Sequence, residues 1–528
     1  MRLLRPRAAL SLYTLCLLLA ASLLNGCCTS PSLEGRSTSA ALPQAEAVAT
    51  RLGQAISPLV QAHPGKAGIY LLADAHDAFT ARALLAQEAE RTLDIQYYIW
   101  RKDLTGTLLF EALHAAADRG VRVRFLLDDN NTSGLDATLA TLDSHPNIEV
   151  RLFNPFFVRS PRWIGYLTDF SRLNRRMHNK SFTADNQATI IGGRNVGDEY
   201  FGATDGVLFA DLDLLAVGPV VNDVSNDFDL YWASASSYPV DRLLPSAAGA
   251  QLQTLTSEAD AVEHNRSASA YVNALRNTTL IHKLLSGKLE FEWAKTRLVS
   301  DAPSKGLGQA APHQLLTHEL GQIIGSPSND IHLVSSYFVP TAAGVKEFTA
   351  LARKGVQIKI LTNSLEATDV EAVHAGYAKR RKPLLEAGIK LYEMKRQSPE
   401  TDERGGSGRF GGSGRFGSSG SSLHAKTFSI DHARIFVGSF NFDPRSAKLN
   451  TELGFVIESP KLAEQIDSAF EDAIPKVSYE VRLDDAGELY WLEQVNGQQV
   501  RYDTEPGTRF WQRTGVEFLS LLPIEWLL

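Results

Sequence analysis

HNKSFTADNQATIIGGRN, residues 178–195, and HAKTFSIDHARIFVGSFN, residues 424–441, are two copies of one pattern. In each copy Lys follows His by two positions, Asp by seven, a Gly by fourteen and Asn by seventeen, and the copies stand 246 residues apart. Side chains on a strand alternate between faces, so His178 and Lys180, like His424 and Lys426, share a face. A turn at Ala184-Asp185-Asn186 or Ile430-Asp431-His432 leads to a second apolar run, Ala188–Ile191 or Arg434–Val437. That run predicts the partner strand of a hairpin. A Gly-rich bend then returns Asn195 or Asn441 toward the His and Lys. Two polar half-sites at matched offsets point to one reaction centre assembled from two halves.

The repeat extends upstream of the motif. LDIQYYIW (93–100) reads as a buried strand, followed by a helix around Gly106–Arg119 and a second strand in GVRVRFLLDD (120–129). DIHLVSSYFVP (330–340), a helix around Ala342–Lys354 and GVQIKILTN (355–363) repeat that order. Strand-helix-strand units predict an α/β sheet in each half. The interval before the second motif is longer and holds GGSGRF twice in tandem, at 405–410 and 411–416. This composition is that of a flexible coil. It reads as an expanded surface loop, with a lid over the site as the alternative.

The residues of the pair suit phosphodiester chemistry. Imidazole serves as nucleophile or as general acid near neutral pH. Lys supplies a fixed cation for non-bridging phosphoryl oxygens, and the Asn amide adds donors. Two His, two Lys and two Asn are enough to neutralise a five-coordinate phosphorus, so the set calls for no metal and no cofactor. The scheme that follows is double displacement: one His attacks and becomes a phosphohistidine, and the other protonates the departing alkoxide and then deprotonates the incoming hydroxyl. The near-symmetry of the copies leaves open which His attacks.

HxKxxxxD twice in one chain resembles the phospholipase D superfamily. RMHNKSFTADNQATIIGGRNVGDEYF (176–201), FADLDLLAVGPVV (209–221), GSSLHAKTFSIDHARIFVGSFNFDPRS (420–446), LNTELGFVIES (449–459) and FLSLLPIEWLL (518–528) are similar to the bacterial cardiolipin synthase C-like branch. The resemblance runs from about residue 65 to the end. It implies two phospholipase D-type α/β sandwich halves forming one bilobal unit related by a pseudo-twofold axis. It also points to His178 as nucleophile and His424 as acid and base, with Asp211 and Glu452 in the segments that resemble the family's supporting acids. Asp213 shares a strand face with Asp211 and is the alternative. Asp185 and Asp431 are expected to hold turns. The implied activity is transfer of a phosphatidyl group to phosphatidylglycerol from a second phospholipid, with phosphatidylethanolamine as the candidate donor, making cardiolipin. Transfer to water (a phospholipase D) and a metal-independent nuclease are the alternatives.

Composition agrees with a large enzyme of about two to four domains: 528 residues, 44% hydrophobic and 21% charged. A net charge of −7 argues against a nucleic-acid partner, because a phosphate backbone favours a basic surface. No obligate protein partner is implied, and the expected partners are phospholipids at a membrane. Arg2, Arg5 and Arg7 precede a largely apolar run of 17 residues from Ala8 to Leu24, and Leu24-Asn25-Gly26-Cys27 resembles a lipoprotein processing site with Cys27 as the lipidated residue. The expectation is a lipoprotein facing the periplasm, with an inner-membrane signal anchor as the alternative. All three cysteines, Cys16, Cys27 and Cys28, lie in this segment, so thiol chemistry is excluded from the globular part.

The expected organisation is a signal at 1–27, a tether at 28–65 with a short helix around Ala45–Leu59, an N-terminal catalytic half at 66–240, and a connecting helical region at 241–325. A C-terminal half at 326–475 and an extension at 476–528 complete it. Between Phe153 and Arg176, aromatics interleave with Arg159, Arg162, Arg172, Arg175 and Arg176, a pattern that binds acyl chains or bases together with phosphate, or else belongs to an ordinary packed loop and helix. The apolar end, Val516–Leu528, is too short to span a bilayer and is expected to dock on the protein or lie in the membrane interface.

Overall fold

A computed structural model describes residues 30–203, 209–247, 252–263, 271, 273, 279–396 and 422–528. The signal segment with Cys27 and the 405–420 glycine-serine stretch lie outside the described residues.

The chain builds two sheets with one strand order. In the N-terminal half the order is Ala67–Leu72, Asp213–Val217, Ala188–Gly192, Ser181–Ala184, Thr92–Tyr97, Arg122–Asp128, Ile148–Phe153 and Ser237–Pro239. In the C-terminal half it is Glu292–Ser300, Leu453–Glu458, Arg434–Gly438, Lys426–Ile430, Asp330–Ser335, Gln357–Asn363, Lys390–Met394 and Ser478–Leu483. The three strands that follow the motif hairpin in each order are parallel and joined by crossover helices, such as Leu104–Asp118 and Thr341–Arg353. The two edge strands, Ala67–Leu72 and Glu292–Ser300, pair antiparallel through Ala67–Ala294, Gly68–Trp293 and Ile69–Glu292. The sheets therefore join edge to edge, as a pseudo-twofold axis requires.

Each sheet is covered on both faces. On the strand Arg122–Asp128, Val123, Phe125 and Leu127 enter a core with the helices Ala75–Glu88 and Leu104–Asp118. Leu126 faces the other way, onto Phe228, Tyr231 and Trp232 of the helix Pro219–Trp232. The near-continuous apolar run in this strand is what two covered faces demand. A further cluster is shared by the halves: Ile191, Leu214 and Ala216 meet Val437, Phe455 and Ile457. Residues of this kind contribute about 1.5–3 kcal/mol each when fully buried, so the apolar seam adds to the strand pairing that joins the halves.

Three expectations change. The stretch 241–325, expected to be a helical connector, contains the strand Glu292–Ser300, which belongs to the C-terminal sheet. Its sequence, EWAKTRLVS, lacks the polar-apolar alternation that marks a strand, which hid it. The extension at 476–528 begins with Ser478–Leu483 and continues that sheet through Leu489–Val495 and Gln498–Tyr502. The tether at 28–65 is docked on the protein over much of its length. Arg151 donates to Ser37 O, Arg124 to Ser39 O and Asn186 to Leu42 O, and the helix Arg51–Ala62 follows.

Candidate active site

The motif hairpins turn through two residues in the left-handed region: Asp185 and Asn186 (φ 52° and 51°), and Asp431 and His432 (φ 53° and 51°). Asp and Asn tolerate that conformation. The Asp185 carboxylate accepts from the backbone N–H groups of Glu90, Arg91 and Thr92 at 2.8–2.9 Å, and Asp431 accepts from Ser328 and Asn329 at 2.9 and 2.7 Å. Both aspartates tie the turn to the neighbouring strand, and neither contacts a motif His.

The opposite ends of the hairpins meet across the seam. His178 N–H donates to Thr451 O at 2.9 Å, and His424 N–H donates to Ala210 O at 2.8 Å. Each His is thereby fixed beside the residue that precedes the other half's acid. His178 Nδ1 donates to Glu452 Oε2 at 2.8 Å, and His424 Nδ1 donates to Asp211 Oδ2 at 2.6 Å. Counting along the chain sets Asp211 with His178 and Glu452 with His424; the structure crosses the pairs. Asp213 is not a partner of either His: it lies between Arg82, at 2.7 Å, and Arg194, at 3.5 Å. The glycines make the approach possible. A Cβ on Gly193 would stand 2.1 Å from the Asp211 carboxylate.

Lys180 Nζ donates to His178 O, and Lys426 Nζ donates to His424 O and, at 3.1 Å, to Ser336 Oγ. Asn195 accepts from Ile99 N–H at 3.1 Å and donates to Tyr200 Oη at 3.0 Å, and Asn441 accepts from Ser336 Oγ at 2.9 Å. All eight side chains are buried. The rings of Tyr200 and Phe209 pack at 5.2 and 5.1 Å from His424, and that of Tyr98 at 5.0 Å from His178. Beside them lies a cavity of about 360 Å³ lined by Ile99, Arg101, Asp198, Glu199, Tyr200, Phe209 and Asp369.

The two halves differ in charge. Burial, then the nearby Lys180, Lys426 and His424 charges, hold His178 well below the usual imidazole range. Burial and Lys426 also lower His424, against the pull of Asp211. Burial pushes the Asp211 carboxyl up, but His424, Lys426 and Arg194 outweigh it and hold the group at about 2. Glu452 is pushed up to about 7 by burial, which Lys180 and Ser439 only partly offset. Burial also brings Lys180 down to about 7 and lowers Lys426. Both imidazoles are thus held toward the neutral form, and they differ in the acid each faces: His424 meets a carboxylate that stays ionised, His178 one that titrates near neutrality.

Sequence reasoning missed several supporting groups. Ser439, at the position of Gly193 in the other copy, donates to Glu452 Oε2, and Asp301 accepts from Glu452 N–H at 3.0 Å. The Gly-to-Ser change between GGRN and GSFN was the available signal for the first. Asp301 carried none. Four of the five arginines before the first motif are paired with carboxylates, and Arg175 instead donates to Ser171 O. Arg159 and Arg162 pair with Asp129 and Asp136, Arg172 with Asp169 at 2.6 Å, and Arg176 with Asp128 at 3.2 Å. Of the aromatics in that segment, Phe156 is buried, and Trp163, Phe170 and the nearby Leu167 are exposed.

The phospholipase D-like domain model of cardiolipin synthases matches residues 84–232 and 320–474. Cardiolipin synthase C of Escherichia coli K12 is 52% identical over 482 residues, covering 90% of this chain and 100% of that protein. An uncharacterised protein of Helicobacter pylori J99 is 30% identical over 489 residues, covering 90% and 92%. The crystal structure of phosphatidylserine synthase from Haemophilus influenzae Rd KW20 superposes with a TM-score of 0.54 at 13% identity, over 86% of this chain and 91% of that one, a likeness of fold.

Proposed function

The chain belongs to the cardiolipin synthase family with phospholipase D-like domains, and from that premise we propose that it makes cardiolipin by moving a phosphatidyl group onto phosphatidylglycerol through a phosphohistidine. It is a phospholipase D-family phosphatidyltransferase. The observation that carries the mechanism is the crossed pairing of His178 with Glu452 and of His424 with Asp211, which supports one centre with two unlike imidazoles.

In the first step Nε2 of His178 attacks the phosphorus of the donor lipid and the bond to the headgroup oxygen breaks. His424, whose protonated form ionised Asp211 stabilises, gives its Nε2 proton to that oxygen. Lys180, Lys426, Asn195 and Asn441 hold the non-bridging oxygens. In the second step the terminal glycerol hydroxyl of phosphatidylglycerol loses its proton to His424 and attacks from the side the headgroup left. The P–N bond breaks and His178 returns to its neutral form. The acidic cavity beside His424 supports a cationic headgroup, and so phosphatidylethanolamine as donor: Asp198, Glu199 and Asp369 outnumber Arg101.

Membrane association is supported by two apolar surfaces that flank Arg445. One carries Trp163, Leu167 and Phe170; the other carries Trp511, Phe518, Leu521 and Trp526. Arg445 donates to Asn174 O at 3.0 Å, next to the first, and to Leu527 O at 3.0 Å, in the second. The C-terminal segment docks by Val516 on Leu365 and Ala375 and leaves its outer face bare. Among the described residues no helix is long and apolar enough to cross a membrane; an acyl chain on Cys27 as the tether is supported by Leu24-Asn25-Gly26-Cys27, which resembles a lipoprotein processing site.

Purified protein incubated with defined phospholipid mixtures and read by lipid mass spectrometry tests the reading. Cardiolipin should form when phosphatidylglycerol and phosphatidylethanolamine are both present and not without phosphatidylglycerol. Phosphatidic acid as the sole product would make the protein a hydrolase.

A further inference from the structure

At the far end of the C-terminal sheet, Asp330, His332, His432 and Asp467 converge from three elements. Asp330 and His332 share one face of the strand Asp330–Ser335, Asp467 projects from the helix Pro460–Asp472, and His432 occupies the motif turn. His332 Nδ1 and Ser429 Oγ each donate to Asp467 Oδ1 at 2.5 Å. His432 spans the two carboxylates, with Nδ1 at 2.6 Å from Asp467 and Nε2 at 2.6 Å from Asp330. The Asp330 side chain carries no well-formed hydrogen bond on either oxygen, although the residue is 3% exposed. Its nearest charged partner is the His432 imidazole, itself largely exposed, which occupies the place a cation would take beside a buried carboxylate.

The N-terminal half serves as an internal control. The strand registers set Thr92 in the place of Asp330, Asp94 in that of His332 and Asn186 in that of His432. There the charges are already satisfied. Arg124 meets Asp94 through two hydrogen bonds, at 2.6 and 2.8 Å, and Asn186 donates to Leu42 O and accepts from Ser225 Oγ. The C-terminal half has replaced a closed salt bridge with a set of metal-ligating side chains at the same place in the same fold.

We propose that Asp330, His332, His432 and Asp467 form a structural site for a first-row divalent cation of the zinc class. One ligand atom from each of Asp330, His332 and Asp467 lies within 4.8 Å of the others. Bonds of about 2.0 Å place tetrahedral ligand atoms about 3.3 Å apart, so binding draws these three inward by about 1.5 Å at most. His432 completes the tetrahedron, and its side chain is 62% exposed and able to swing. Two imidazoles with two carboxylates favour zinc over calcium or magnesium, which take all-oxygen shells. The site takes no part in the phosphoryl chemistry. Six residues along the strand, about 20 Å, separate Asp330 from Ser336, which touches Lys426. Its effect is to clamp the turn that begins with Asp431 onto the helix Pro460–Asp472.

The test is titration of the chelator-stripped full chain with Zn²⁺ by calorimetry, and with Co²⁺ by visible absorption. One Zn²⁺ should bind per chain, with a rise in Tm and a tetrahedral Co²⁺ spectrum. His432→Asn, which installs the residue of the other half at an exposed turn, and Asp467→Asn should each weaken binding at least about tenfold. Absence of saturable Zn²⁺ binding overturns the proposal. So does wild-type affinity in His432→Asn, whose fold is checked by its circular dichroism.

Discussion

Glu452 meets Nδ1 of His178 at 2.8 Å with its carboxyl pushed up to about 7 by burial, and Asp211 meets Nδ1 of His424 at 2.6 Å with its carboxyl held at about 2. The first stays near the edge of ionisation; the second is charged throughout the working range. Glu452 must be ionised to accept the Nδ1 proton and to stabilise the positive charge that His178 gains on attack. As pH falls through about 7, Glu452 takes up a proton and kcat/KM should decline, whereas Asp211 stays charged and adds no limb above pH 3. A pH profile on mixed micelles checks this; an acid limb near 4 would exclude Glu452 as its source. Glu452→Gln should lower kcat about 10²–10⁴-fold, the range for removing the group that orients a catalytic His. The need for such an acid was legible from the His alone. Its high pKa was not, because that comes from burial beneath the partner half.

Within each motif hairpin, the Asp that gives the pattern its last letter does mechanical work. Asp185 accepts three backbone N–H groups, and Asp185→Ala leaves them without a partner. The cost should be about 2–4 kcal/mol, read as a lower Tm, with the specific activity of the folded fraction within a few-fold of wild type. A large loss of kcat in fully folded protein would assign the aspartate to the chemistry. The hairpin, both crossover helices and the parallel strands were legible because period and turn chemistry are local. Glu292–Ser300 was not, because its pairing is decided by an edge from each half. The arginines at 159 and 162 misled for the same reason: Asp129 and Asp136, which neutralise them, lie 23 to 33 residues upstream. The large side chains that remain exposed there, Trp163, Leu167 and Phe170, are apolar. Replacing Trp511, Phe518 and Leu521 together with Ser should weaken partition to phosphatidylglycerol vesicles at least tenfold, since each large side chain that enters the interface contributes up to about 1.5–3 kcal/mol. Turnover of a short-chain soluble substrate should be unchanged. Equal vesicle binding in a flotation assay would show that this face does not meet lipid.

At the scale of the molecule, the crossed pairs make each half depend on the other. The repeat announced two half-sites, and the matched offsets showed that they are alike. Only the seam, where Thr451 and Ala210 receive the N–H groups of His178 and His424, decides which acid serves which His. An acid in the N-terminal half therefore acts with the imidazole of the C-terminal half, and the reverse. The prediction is a crossed phenotype. Phosphatidyl-p-nitrophenol carries a leaving group acidic enough to depart without a proton donor, so it bypasses the first task of His424 and leaves that of His178 intact. With this lipid, Asp211→Asn and His424→Gln should both regain a burst of p-nitrophenol equal to about one per enzyme. Glu452→Gln and His178→Gln should show no burst, although Glu452 lies in the same half as His424. If the effects instead sort by half, with Asp211→Asn matching His178→Gln, then the pairs are not crossed during catalysis and the assignment of roles across the seam fails.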